Sequence, residues 1–142
     1  MAQQWQLRRG NTAQNNAFTG AAGEVTVDTT THALRVHDGS TAGGFTIDTV
    51  VAYQAPDPNN DYKWYRKYAS GWVEQGGTKP ITSTYSTITL PITMRDANYQ
   101  VLTTVNVSSS TNYSSTVRNK TTTSFETFQD YVVDWEVKGM AA

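Results

Sequence analysis

"VVDWEVKG", residues 132–139, alternates without a break: Val133, Trp135 and Val137 fall on one side of an extended chain, Asp134, Glu136 and Lys138 on the other. The same period of two recurs elsewhere. "YQVLTTVNV" puts Tyr99, Val101, Thr103, Val105 and Val107 on one face. "YSTITLPI" does so with Ile88, Leu90 and Ile92, and Pro91 marks an edge or a strand end. "EVTVDTTTHALRVHDGS", residues 24–40, sets Val25 and Val27 against Leu34 and Val36 across Asp28-Thr29-Thr30-Thr31, which reads as a β-hairpin closed by a turn at Asp38-Gly39. Composition agrees. Threonine supplies roughly one residue in six, Ser, Val and Tyr are frequent, and Leu is rare, a bias toward pleated surfaces and away from long amphipathic helices. The fold class is all-β.

Punctuation divides the 142 residues into two modules. Residues 1–47 form a small β-hairpin module, with a weak strand at "QWQLRRG" and one short helical turn capped by Asn11 or Thr12. Residues 48–61 hold a short strand, "TVVAYQ", then Pro56, Pro58, Asn59, Asn60 and Asp61, and read as a linker. Residues 62–142 form an antiparallel, β-sandwich-like knob. A module of about 45 residues without disulfide or metal rarely stabilises itself alone. Its apolar inventory is Trp5, Leu7, Phe18, Val25, Val27, Leu34, Val36, Phe45 and Ile47. That surface is buried either on the second module or against other copies of the chain, and the linker favours other copies.

"NNDYKWYRKYASGWVEQGGT", residues 59–78, is the most aromatic stretch. A two-residue turn at Ser70-Gly71 would pair Lys67 with Glu74 and Tyr68 with Val73. Trp72 is then expected in a buried position. Neither face of that hairpin is cleanly apolar, and Tyr, Trp and Arg are the residues enriched in interface cores. Trp5, Leu7, Trp64, Tyr65, Arg66, Tyr68 and Trp72 are therefore the candidate oligomer interface. A sugar platform also uses Trp and Tyr, but needs them exposed.

Chemistry is harder to find. A net charge of −1 leaves no footprint for nucleic acid or an anionic membrane, and no apolar run has the length of a membrane span. The opening residues lack the apolar core of a signal peptide, and cysteine is absent, which fits assembly in a reducing cytoplasm. The three Asn-X-Ser/Thr sequons, at Asn106, Asn112 and Asn119, are discounted on the same ground. His32 and His37 lie near Asp28 and Asp38, but without a spacing that brings two imidazoles together for a metal. Asp134 and Glu136 share a strand face, away from the side that Trp135 buries, and so make a poor catalytic pair. Neither an enzyme nor a cofactor is expected.

Residues 7–45 resemble the N-terminal β-module of bacteriophage tail-fibre and tropism-determinant proteins. The likeness rests on Leu7-Arg8-Arg9-Gly10, Phe18-Thr19-Gly20, Gly23-Glu24, Val27-Asp28, Leu34 to Gly39 and Gly43-Gly44. The second half resembles the C-terminal knob of phage and prophage fibres, through Trp64 to Lys67, Gly71 to Gly77, "ITLPITMRDANYQV" and Trp135 to Gly139. The resemblance implies a homotrimer, N-terminal modules around a threefold axis, and a receptor-contacting knob. The expected protein is a virion component assembled in the host cytoplasm: a short trimeric tail fibre. Its expected partners are other phage tail or capsid proteins and a bacterial surface glycan or protein. Nucleic acid, membrane insertion and cofactors are not implied. The rivals are a non-adhesive fibre or head decoration, and a small polysaccharide depolymerase. The chain departs from long fibres in showing neither an extended shaft nor a large extra domain before the knob, and from tropism determinants in showing no C-type lectin domain. Residues 108–124 are the longest polar stretch, and there Asn112, Tyr113, Arg118 and Asn119 are the candidate receptor contacts.

Overall fold

The computed structural model describes residues 5–81, 85–106, 115–128 and 131–142. The chain divides into two units, Met1–Val51 and Ala52–Ala142, and strands dominate both.

The first unit is a four-stranded sheet in the order β1 (Arg8–Gly10), β2 (Val25–Asp28), β3 (Ala33–Val36) and β4 (Phe45–Ile47). β1 runs parallel to β2, with Arg8 beside Thr26. Parallel neighbours require a crossover, and the short helix α1 (Thr12–Ala17) supplies it. Asn11 is its N-cap: the Asn11 side chain accepts from the Gln14 amide, and the Gln14 side chain accepts from the Asn11 amide. The expected hairpin is present, with Val25 opposite Val36 and Val27 opposite Leu34.

The two faces of that hairpin carry a surprise for an alternation argument. The polar face is the buried one. Thr26, Asp28 and Ala33 are fully buried, and His37, Asn15 and Arg35 nearly so. Arg35 Nη2 donates to Asp28 Oδ2 at 2.7 Å, while Arg35 Nη1 donates to Asn16 Oδ1 and to the Gly43 carbonyl. Burial alone would raise the Asp28 pKa. The donors Arg35, the Thr12 hydroxyl and the Thr30 and Thr31 amides outweigh it and hold the carboxyl below its ordinary value. Beside this pair runs a hydrogen-bonded chain. The Gly20 amide donates to His37 Nδ1, so in this arrangement the ring proton sits on Nε2 and is donated to Thr26 Oγ1. The Thr26 hydroxyl in turn donates to Asn15 Oδ1, and Asn15 Nδ2 donates to the Gly10 carbonyl. A buried polar network of this kind is stabilising only when its members are satisfied.

The second unit packs two sheets. The larger has the order β5-β6-β7-β12-β9, comprising β5 (Val50–Gln54), β6 (Trp64–Tyr68), β7 (Trp72–Pro80), β12 (Val132–Met140) and β9 (Gln100–Asn106). The smaller has the order β10-β11-β8, comprising β10 (Thr116–Arg118), β11 (Ser124–Phe128) and β8 (Ser86–Thr89). Ile88, Leu90, Met94, Tyr99, Phe125, Trp135 and Val137 form the core, and Phe125 meets Trp135 edge to face at 5.9 Å between ring centres. The alternation of β12 reads as expected, with Val133, Trp135 and Val137 buried. Buried Gln75 ties the loop after β8 to β7: its amide donates to the Ile92 carbonyl and accepts from the Ile92 amide.

The short strand expected within 48–61 is the edge strand β5, and a 3-10 turn follows it at Pro58–Asn60. Val50, Val51 and Tyr53 favour extension, and the chain turns only at the prolines. One expectation needs correction: the aromatic hairpin is one residue out of the expected register, with Lys67 facing Val73 and Arg66 facing Glu74. The turn has three residues, Ala69-Ser70-Gly71. Gly71 donates to the Tyr68 carbonyl and adopts a φ of +88°, which glycine alone takes without strain. A slip of one residue exchanges faces. Trp72 thus leaves the core side and is 39% exposed, while Val73 and Gln75 are buried.

Candidate functional site

Surfaces rather than a catalytic centre stand out. Among the described residues no group of acidic, His or Cys side chains is placed to hold a metal. Asp134 accepts from the Thr78 hydroxyl at 2.7 Å and Glu136 pairs with Lys138 at 3.1 Å, so each carboxylate already has a partner.

The first surface follows from the inverted hairpin of the N-terminal unit. If its polar face is inside, the apolar face is outside. Val25, Val27, Leu34 and Val36 are only half-buried there. β4 pairs Phe45 with Val36 and Ile47 with Leu34, which extends the same face. Phe45 is 58% and Ile47 46% exposed, and just before β1 Leu7 is 53% and Trp5 89% exposed. Each such side chain, if covered, would contribute about 1–2 kcal/mol. A contiguous apolar face of this kind marks an interaction surface.

The second surface lies wholly within the second unit. Direct cross-strand partners share a face, so Trp64, Arg66, Tyr68, Trp72 and Glu74 stand on the side of the large sheet away from the core. The Tyr68 hydroxyl donates to Glu74 at 3.3 Å. Trp64 lies across its partner Gly76, where a Cβ would come within 2.7 Å of the indole nitrogen. A cleft of about 430 Å³ opens beside it, lined by Tyr53, Gln54, Ala55, Pro56, Trp64, Tyr65 and Arg66.

The expected receptor loop is a different case. Asn112 and Tyr113 lie outside the described residues. Arg118 ends β10; its Nε donates to Glu126 at 2.9 Å, and its guanidinium stacks on Tyr85 at 3.1 Å from the ring centre. Asn119, at φ +48°, donates to the same Glu126 oxygen. Both side chains are engaged in holding β10 to β11. The interface candidates are split. Trp5 and Leu7 belong to the N-terminal unit, and Trp64, Tyr65, Arg66, Tyr68 and Trp72 to the other. Tyr53 was missed because it fell in the segment read as a linker. Phe45 and Ile47 were read as apolar inventory only, since alternation says which residues share a face and not which face is covered.

Residues 6–41 match the family model of the Major tropism determinant N-terminal domain. A tail fiber receptor-binding protein of Bordetella phage BPP-1 is 60% identical over 42 residues, 30% of this chain and 11% of that protein. This chain therefore spans about a tenth of the curated relative's length. Among solved structures, a Major Tropism Determinant P3c variant is 38% identical, covers 44% of this chain and 20% of its own, and has a TM-score of 0.31. An N-truncated R2-type pyocin tail fiber is 21% identical, covers 64% of this chain and 39% of its own, and has a TM-score of 0.45. The likeness in sequence to tail-fibre proteins is concentrated in the N-terminal unit.

Proposed function

We propose that this chain is a short phage tail-fibre adhesin, a virion component that self-associates through its N-terminal unit and touches the bacterial surface with its C-terminal unit. The observation that carries the reading is the open apolar face of the N-terminal sheet, on the very unit that matches the tropism-determinant family. A small module with a polar interior and an apolar exterior is built to be completed by copies of itself. The trimer is the assembly that the fibre resemblance implies, and a closed symmetric ring hides such a face without leaving a free edge. The relatives carry names of receptor-binding proteins and fibres, which supports adhesion over catalysis. Three C-terminal units on one axis would convert weak contacts into useful avidity.

The experiment is direct. Fluorescently labelled protein is mixed with a panel of bacterial strains, beside a variant that is monomeric through Phe45→Asp. The adhesin reading expects labelling of at least one strain by the wild type and much weaker labelling by the monomer. No labelling of any strain would favour the non-adhesive fibre or decoration reading. New reducing ends released from purified surface polysaccharide would instead support the depolymerase.

A further inference from the structure

We infer that the cleft beside β5 and β6 is a binding site for a single acidic sugar residue, its ring against the aromatic walls and its carboxylate on Arg66. The inference rests on the adhesin reading and gives it a site and a ligand class. Four observations carry it.

The cleft has the right size and surface. At about 430 Å³ it falls in the range of small-molecule sites, which are typically apolar clefts with a few placed polar groups. Its aromatic and apolar walls are Tyr53, Trp64 and Pro56. The C–H faces of a pyranose are apolar and flat, and they match an aromatic face while the hydroxyls reach water or a donor.

The walls are set before any ligand arrives. Trp64 lies on Gly76, whose missing Cβ makes the room. Gln54 Nε2 donates to the Lys63 carbonyl at 3.0 Å and fixes the end of β5 against the start of β6. Preset walls reduce the ordering cost of binding.

One aromatic is left in water. Tyr53 is 73% exposed, more than any other tyrosine among the exposed large side chains of the described residues. A residue that served only to fill a core would not sit so. The requirement of a sugar platform, aromatic faces that remain accessible, is met here.

Arg66 has no protein partner among the described residues. Glu74 lies directly opposite, yet its hydrogen bond comes from the Tyr68 hydroxyl. The cleft lining contains this guanidinium and no carboxylate. A planar fork of donors is suited to a carboxylate, which it can bind through two parallel hydrogen bonds. Acidity in the ligand follows from that charge, and a sugar follows from the walls.

The test uses the full chain in its native assembly. Indole N–H signals of the ¹⁵N-labelled protein are followed while galacturonic acid, then galactose, is added. Galacturonate is expected to shift the Trp64 indole and leave the Trp72 indole in place, with galactose binding more weakly. Arg66→Ala should weaken galacturonate about tenfold or more, and Arg66→Lys, which keeps the charge but not the fork, by less. No shift at Trp64, equal response to the two sugars, or unaltered binding by Arg66→Ala overturns the assignment. Loss of oligomer mass in Arg66→Ala also overturns it, because the cleft would then be a contact between copies. Cell labelling separates this claim from the one it rests on. If wild type and Arg66→Ala label cells equally, the cleft is refuted and the adhesin stands. If the wild type labels no strain, the adhesin fails and the titration alone decides the cleft.

Discussion

Replacing Arg35 by leucine should unfold the N-terminal unit and spare the other. Arg35 and Asp28 are buried, with side chains 9% and 0% exposed and 2.7 Å between Nη2 and Oδ2. Removing one partner of a buried pair strands the other charge, at a cost of about 3–5 kcal/mol. Arg35→Leu also takes the donor from the Asn16 side chain and the Gly43 carbonyl. At roughly 0.05–0.15 kcal/mol per residue, a unit of some fifty residues has only about 3–8 kcal/mol to lose. The assay is hydrogen exchange of the β2 and β3 amides, read beside those of β7 and β12, together with thermal unfolding. Protection should collapse in the first pair of strands and persist in the second. The pH dependence adds a check. The Asp28 carboxyl is lowered in the fold, so its contribution is complete above the unfolded value of 3.8 and is lost as the pH falls through the folded value. Acid sensitivity of the N-terminal unit in that range should therefore be blunted in the variant. Asp28→Leu with Arg35→Leu should cost less than the two singles added together. A cost of Arg35→Leu below about 1 kcal/mol, with unchanged exchange in β2 and β3, would refute the reasoning.

Other outcomes follow from the second unit. Gly76→Ala should displace the Trp64 indole, cost about 1–3 kcal/mol and shift the tryptophan fluorescence; an unshifted spectrum would contradict the close approach. Burial pushes the Tyr99 hydroxyl up to about 12, so the stability it contributes is complete below pH 10 and drains between pH 10 and 12. Tyr99→Phe loses the hydrogen bond to the Ser124 carbonyl, which the Thr121 amide still satisfies, so its cost should be about 1 kcal/mol and its alkaline unfolding less steep.

Much of this architecture was legible in the residues. Alternation found β12 and its inward Trp135 and the β2–β3 hairpin and its pairing, and residue type narrowed the helix cap to Asn11 or Thr12, because each depends on local spacing. The hairpin register was not legible. Ser70-Gly71 fits a two-residue turn as well as the observed three-residue one, and only the packing of Val73 and Gln75 decides between them. The inverted faces of the N-terminal unit were hidden for a related reason. Thr26, Asp28, Arg35 and His37 look like a solvated face in sequence, and what buries them is their mutual hydrogen bonding beneath α1. The cleft escaped because its walls come from β5 and β6, on either side of a segment that reads as a spacer.

The central claim is that the open face of the N-terminal sheet joins copies of the chain, and light scattering tests it most directly. Wild-type protein at micromolar concentration should have the mass of three 15.7-kDa chains, and Phe45→Asp, with its second unit still folded by hydrogen exchange, the mass of one. A wild type that is monomeric at that concentration, or a Phe45→Asp protein that remains trimeric, would contradict the account.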